Sequence, residues 1–213
     1  MIPALALAAA VTAVPLDSQL VLERYATRLL SVNAPKAVIF SYTVSQAGPR
    51  NIEQTHRMYR SGDLVRDETL SIDGQNLRRK LTRIARYRNR YTVDGLAPRL
   101  AQYALLFLHA VREGAVYDYV YRAQPLESTG GFVVEAVTID GRSYLPSLIR
   151  FRSANGTMQG TGSIGFARAG KYWMPTIASV EAAVNGKRAR ERIVFSGYQF
   201  PGSLPKSTLL RKY

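Results

Sequence analysis

The residues able to do acid–base or nucleophilic chemistry are few and far apart. The chain has two histidines, His56 and His109, and no cysteine. His56 falls within a strand-like run and His109 within a long apolar run. No H-x-x-x-H or histidine–carboxylate spacing links either to a metal-ligand pattern, and His109 reads as a residue packed in the core. Ser163 does not sit in a G-x-S-x-G elbow, because Thr161 occupies the first glycine position. Asp67 and Glu68 are adjacent in a strand, where side chains point to opposite faces, and no other carboxylate pair has an acid–base setting. Gly160-Thr161-Gly162-Ser163-Ile164-Gly165 fits G-x-G-x-x-G. The dinucleotide motif needs a helix after it, and here a strand pattern continues on both sides. These glycines therefore read as a bend that another element approaches closely. Without cysteine there are no disulfides, thiolate zinc sites or thiol nucleophiles, and no lipid attachment through an N-terminal cysteine. The expectation is a protein that is not an enzyme and uses no metal or cofactor.

The charged residues are more organised. The formal net charge is +14. Arg86, Arg88 and Arg90 alternate with other residues, as do Arg150 and Arg152, and again Arg188, Arg190 and Arg192. A period of two places each set on one face of its strand. The plain reading is a solvated convex face. The functional reading is a docking surface for anionic lipid or an anionic envelope polymer, each charge near a membrane adding about 1 kcal/mol. Nucleic acid would also attract such a comb, but an exported chain seldom meets it and it is not an expected partner.

The first residues supply the reason to expect export. Ile2 to Val11 are apolar but for no polar break, and Val11-Thr12-Ala13 offers small residues for cleavage after Ala13. No Lys or Arg precedes the apolar run, as a secretory signal normally has, and a buried N-terminal helix is the alternative. On the signal reading, residues 1–13 are removed, and 14–213 form a single domain that is soluble in the periplasm or otherwise exported. Its 46% hydrophobic content suits a packed globular core.

Asp17 or Ser18 can cap a helix running to about Val32, with Leu22, Tyr25, Ala26, Leu29 and Leu30 on one face. Strand patterns follow, beginning with AVIFSYTVSQ, in which Val38, Phe40, Tyr42 and Val44 alternate with other residues. The stretch from Pro98 to Glu113 reads differently. Pro98 suits a first helical turn, Gly114 suits a C-terminal cap, and on a helix Leu105, Leu106, Phe107 and Leu108 point in successive directions about 100° apart. That predicts an enclosed helix, too short for a bilayer, which takes roughly 20 apolar residues. Asp140-Gly141, Asn155-Gly156 and Asn185-Gly186 then mark hairpins. The predicted fold is α+β and mostly β. A strongly curved antiparallel sheet, an unclosed β-barrel of about ten strands, wraps around the apolar helix, with an N-terminal amphipathic helix besides.

This order of elements resembles the periplasmic outer-membrane lipoprotein carrier superfamily (LolA/LolB-like) over most of the mature chain. Tyr59 to Arg66, YRSGDLVR, resembles that family's strand–turn–strand, and KYWMPTIASVEAAVNGKRARERIVFSGYQF resembles its paired C-terminal strands. The resemblance implies a half-barrel that holds acyl chains in its concavity without catalysis, and it places the lid-holding arginine on Arg60, with Ser61 where the family has proline. With the apolar inventory of the opposite sheet face, it predicts a ligand cavity lined by Phe40, Tyr42, Met58, Arg60, Leu106, Phe107, Tyr117, Tyr119, Tyr121, Phe166 and Trp173. The expected partners are the acyl chains of a lipid or lipoprotein, with a membrane surface or envelope polymer as further contacts, for a monomer that carries or senses its cargo. Two other readings stand beside it. One is an envelope interaction module with a filled core that binds through its arginines. The other is a small enzyme on the same scaffold, which a cleft joining His56 to an acidic residue would favour.

Overall fold

The computed structural model describes residues 14–31, 35–48, 51–86, 98–127, 132–184 and 186–211. The expected signal segment, Asn33 and Ala34 after the first helix, and the extension of the fourth strand beyond Arg86 lie outside these residues, as do Arg88 and Arg90.

A first helix, α1, spans Ser18–Ser31. Asp17 caps it, its Oδ1 accepting from the N–H groups of Gln19 (2.8 Å) and Leu20 (3.3 Å), which have no partner inside the helix. Among the described residues eleven strands follow: β1 Ala37–Ala47, β2 Ile52–Ser61, β3 Leu64–Ile72, β4 Gln75–Arg86, β5 Tyr103–Glu113, β6 Val116–Pro125, β7 Phe132–Ile139, β8 Pro146–Ser153, β9 Met158–Ala169, β10 Tyr172–Val184 and β11 Lys187–Gln199. A short C-terminal helix, α2, spans Lys206–Leu210 and was not expected. All strands join one antiparallel sheet in the order β4-β3-β2-β1-β11-β10-β9-β8-β7-β6-β5. The sheet is curved and does not close: β4 and β5, neighbours in sequence, are its two free edges. The unclosed α+β half-barrel is thus as predicted, with eleven strands in place of about ten.

The stretch from Pro98 to Glu113 is a correction. Tyr103–Glu113 is the edge strand β5, not an enclosed helix, and the sheet is not wrapped around it. Gly114 is no helix cap. Its φ of +65° opens the two-residue β5–β6 hairpin turn at Gly114-Ala115, which glycine favours because it has no Cβ. Only Tyr103 and Leu105 are buried in this strand. Leu106, Phe107, Leu108 and Val111 are 42–46% exposed, and His109 is exposed rather than packed in the core. Leu106→Ala is therefore expected to change stability by less than about 0.5 kcal/mol, read from a urea melt. A leucine enclosed by a sheet would lose about 2–5 kcal/mol.

Two further turns refine the sequence reading. Asp140-Gly141 is not a two-residue hairpin. It opens a loop to Leu145, in which Asp140 Oδ1 accepts from the N–H groups of Arg142 (2.9 Å) and Ser143 (2.6 Å) and from the Ser143 hydroxyl (2.9 Å). Gly141 is required by space, since a Cβ there would lie 1.9 Å from the Tyr117 carbonyl oxygen. The G-x-G-x-x-G run lies inside β9, and a Cβ on Gly160 would lie 2.3 Å from the Glu181 carbonyl oxygen of β10. Close strand approach is what those glycines allow.

Candidate ligand-binding site

Residues paired across strands share a face, so the register assigns each side chain to the inside or the outside of the sheet. On the inner face, Tyr119 pairs with Ile139 and Tyr121 with Val137. With Tyr103, Leu105, Ala123 and the α1 residues Val21 and Tyr25 they form one buried cluster. The tyrosine hydroxyls also hold the helix. Tyr119 Oη accepts from the Leu16 N–H (2.8 Å), Tyr121 Oη donates to the Ser18 carbonyl (2.8 Å) and Tyr25 Oη donates to the Pro98 carbonyl (2.7 Å). The α1 side chain Arg28 adds a bond from Nε to the Ser143 carbonyl (3.0 Å).

A second buried cluster lies farther along the same face: Val38, Phe40, Tyr42, Met58, Val65, Met174 and Phe195. Its members come from β1, β2, β3, β10 and β11, and none from α1 or α2. Phe40 packs on Tyr42, Phe195 and Tyr198, with ring centroids 6.1, 6.1 and 5.2 Å away.

Polar groups border this second cluster. Arg60 pairs with Val38 in register and is 2% exposed. Its Nη2 donates to the Pro35 carbonyl (2.9 Å), just after α1, and burial pushes its guanidinium below the ordinary arginine range. Beside Tyr42 lies His56, stacked on it at 4.6 Å with an interplanar angle of 4°. His56 Nδ1 is 3.3 Å from Asp67 Oδ1, and the Tyr42 hydroxyl donates to Asp67 Oδ2 (2.6 Å). The sequence spacing hid this histidine–carboxylate contact because β2 and β3 bring the partners together across a bulge. In a catalytic histidine–aspartate pair the far ring nitrogen faces the nucleophile. Here Nε2 faces Gln54 Oε1 at 3.3 Å, and His56 lines none of the described cavities. Among the described residues no group of three or more His, Asp or Glu side chains could hold a metal.

The expected cavity residues are thus divided. Phe40, Tyr42, Met58 and Arg60 gather at the second cluster, while Tyr117, Tyr119 and Tyr121 belong to the first. Leu106 and Phe107 stand half exposed on the edge strand, although the Phe107 ring meets Tyr121 edge-on at 5.6 Å. Phe166 pairs with Pro175, next to Met174 of the second cluster, and Trp173 lies under the guanidinium groups of Arg28 (5.8 Å) and Arg168 (5.4 Å). The largest described cavity, about 630 Å³, opens beside Tyr172 and Phe200, which pack against the second cluster. The sequence reading did not include either residue in the site.

The outer face carries the arginine comb. Arg150 pairs with Thr161, Thr161 with Glu181 and Glu181 with Arg190, and a second row runs through Arg152, Gln159, Ala183 and Arg188. Arg192 continues the face on β11. Carboxylates interrupt it. Arg150 (3.9 Å) and Arg152 (3.0 Å) share Glu135, Arg190 pairs with Glu181 (2.8 Å), and Arg86 pairs with Asp63 (3.0 Å).

Burial also shifts the tyrosine hydroxyls. That of Tyr121 is pushed up to about 12, by burial first and then by Tyr119 and Asp17, and burial raises Tyr25 and Tyr198 in the same direction. An unfolded tyrosine ionises near about 10. The folded state thus holds these protons more firmly, so their stabilisation is full below about pH 10 and is lost as pH rises through the folded value. The urea midpoint is expected to fall between pH 10 and 12. Tyr121→Phe removes part of that slope, and an unchanged slope would refute the assignment.

An unclosed antiparallel half-barrel with an N-terminal helix on its inner face defines the class. No protein-family model and no curated protein matches the chain. Solved structures do. A LolA superfamily protein from Nitrosomonas europaea is 12% identical with a TM-score of 0.55, over 92% of this chain and 98% of that one. A putative outer membrane lipoprotein-sorting protein domain from Vibrio parahaemolyticus is 13% identical with a TM-score of 0.59, over 91% and 97%. A DUF1329 family protein from Desulfovibrio piger is 9% identical with a TM-score of 0.57, over 89% and 96%. The chain has a LolA-like fold.

Proposed function

We propose that the protein is a non-catalytic carrier or sensor in the bacterial envelope, binding an acyl chain of a lipid or lipidated protein on the inner face of its half-barrel. The observation that carries this reading is the cavity of about 630 Å³ beside Tyr172 and Phe200, two rings that pack against a cluster contributed by strands alone. The name of the Vibrio structure, a lipoprotein-sorting domain, supports the same class of cargo. Binding comes from apolar burial, at about 0.8 kcal/mol per CH₂, so a ten-carbon segment supplies about 8 kcal/mol before the costs of ordering. Arg60 acts in this reading by holding the chain that leaves α1. Among the described residues no helix is long and apolar enough to cross a membrane, and the proposed location is the periplasm.

The test is native mass spectrometry with lipid extraction on protein purified from its own envelope fraction, followed by uptake of a fluorescent fatty acid. A co-purifying acyl lipid and saturable uptake are expected. A clean apo mass together with no uptake would overturn the carrier and leave an interaction module acting through its outer face.

A further inference from the structure

The cations of this chain are not equivalent, and the difference points to a headgroup. On the outer face, Glu135 and Glu181 lie among the arginines and offset them. The cavity of about 630 Å³ is different: Lys36 and Lys171 line it, and among the described residues no acidic side chain does. Its other walls include the rings of Tyr172 and Phe200, whose centroids are 4.8 Å apart. Lys171 Nζ lies 5.4 Å from the Tyr172 ring centroid. One wall is therefore cationic and another aromatic, which suits an amphiphile better than a simple ion.

Both lysines stand on fixed backbone. Lys36 is flanked by anchors, because the Pro35 carbonyl accepts from buried Arg60 (2.9 Å) and the Lys36 carbonyl accepts from the Gly62 N–H (3.0 Å). Lys171 sits in the two-residue turn between β9 and β10, whose first residue, Gly170, has φ +60°. Fixed supports lower the ordering cost of binding. The aromatic wall leads inward: Phe200 stacks on Tyr198 at 6.2 Å, and Tyr198 meets Phe40 of the second cluster at 5.2 Å. An acyl chain lying in the cavity against Tyr172 and Phe200 carries its polar end to the two lysines.

We infer that Lys36 and Lys171 form a headgroup site for an amphiphile whose acyl chain ends in a phosphate or carboxylate. This rests on the carrier reading and adds the charge of the cargo. Isothermal titration calorimetry reads binding directly.

The experiment titrates the full chain with decyl phosphate, neutral decanol and inorganic phosphate, each against wild type, Lys36→Gln, Lys171→Gln and the double variant. Circular dichroism confirms that the variants fold. Decyl phosphate is expected to bind more tightly than decanol, with each single substitution weakening it about fivefold and leaving decanol unchanged. If both amphiphiles bind with no dependence on the lysines, the headgroup site is overturned and the carrier stands. If neither binds, both are overturned. If inorganic phosphate alone reproduces the whole lysine-dependent affinity, the site takes a free anion and the amphiphile is overturned.

Discussion

Glu68→Ala is expected to cost about 3–5 kcal/mol of stability, although the residue lies outside the candidate site. Glu68 is fully buried and its Oε1 accepts from Arg66, which is itself 2% exposed. Lys80 Nζ stands 3.5 Å from the other carboxylate oxygen. Arg66 also donates to the carbonyl of Thr208 in α2, so the pair fastens the C-terminal helix to the outer face of β3. Removing the carboxylate leaves a guanidinium buried without its counter-charge, and that desolvation dominates the loss. For a chain of this length the melting temperature falls by about 6–20 °C. The double change Arg66→Met with Glu68→Leu removes both charges, and it is expected to recover most of the loss. A thermal melt of the single variant within about 1 kcal/mol of wild type would show that the pair is not a buried anchor.

The same pair shows what the sequence made legible. The strand carrying it was readable from its apolar spacing and turns, since hydrophobic alternation encodes which face is buried. The curved antiparallel sheet followed for the same reason. Buried charge does not announce itself in a strand pattern: Arg66 and Glu68 look like a solvent face until α2 covers them, and α2 is only five residues long. The error at Tyr103–Glu113 has a related cause. Leucine and alanine favour helix weakly, and pairing to β6 overrides that preference. A run that is apolar on every helical side is also apolar on both faces of a strand, so its pattern alone does not separate the two. Phe40 and Tyr42, which lie in the second cluster, were legible from the alternation of AVIFSYTVSQ. His56 and Asp67 meet only across the β2–β3 pairing, and Lys36 and Lys171, far apart in the chain, line one cavity only once the sheet forms.

The helix that covers the first cluster offers the last test, because it separates a fixed core element from a cover that opens alone. Tyr25 is fully buried between α1 and the sheet, and its hydroxyl donates to the carbonyl of Pro98. Tyr25→Ala deletes the ring and leaves that carbonyl without its donor. The expected cost is about 3–5 kcal/mol for the cavity, whereas Tyr25→Phe, which loses the hydrogen bond alone, costs about 0.5–1.5 kcal/mol. Where the loss falls matters more than its size. The second cluster draws no buried side chain from α1, so loosening the helix leaves the contacts among β1, β2, β10 and β11 in place. Hydrogen exchange on Tyr25→Ala is then expected to show α1 amides losing protection by roughly a hundredfold while β10 and β11 keep theirs. That outcome makes α1 a cover able to lift from the first cluster while the second stays packed. Equal loss in α1 and in β10 and β11 would show that helix and sheet open as one cooperative unit.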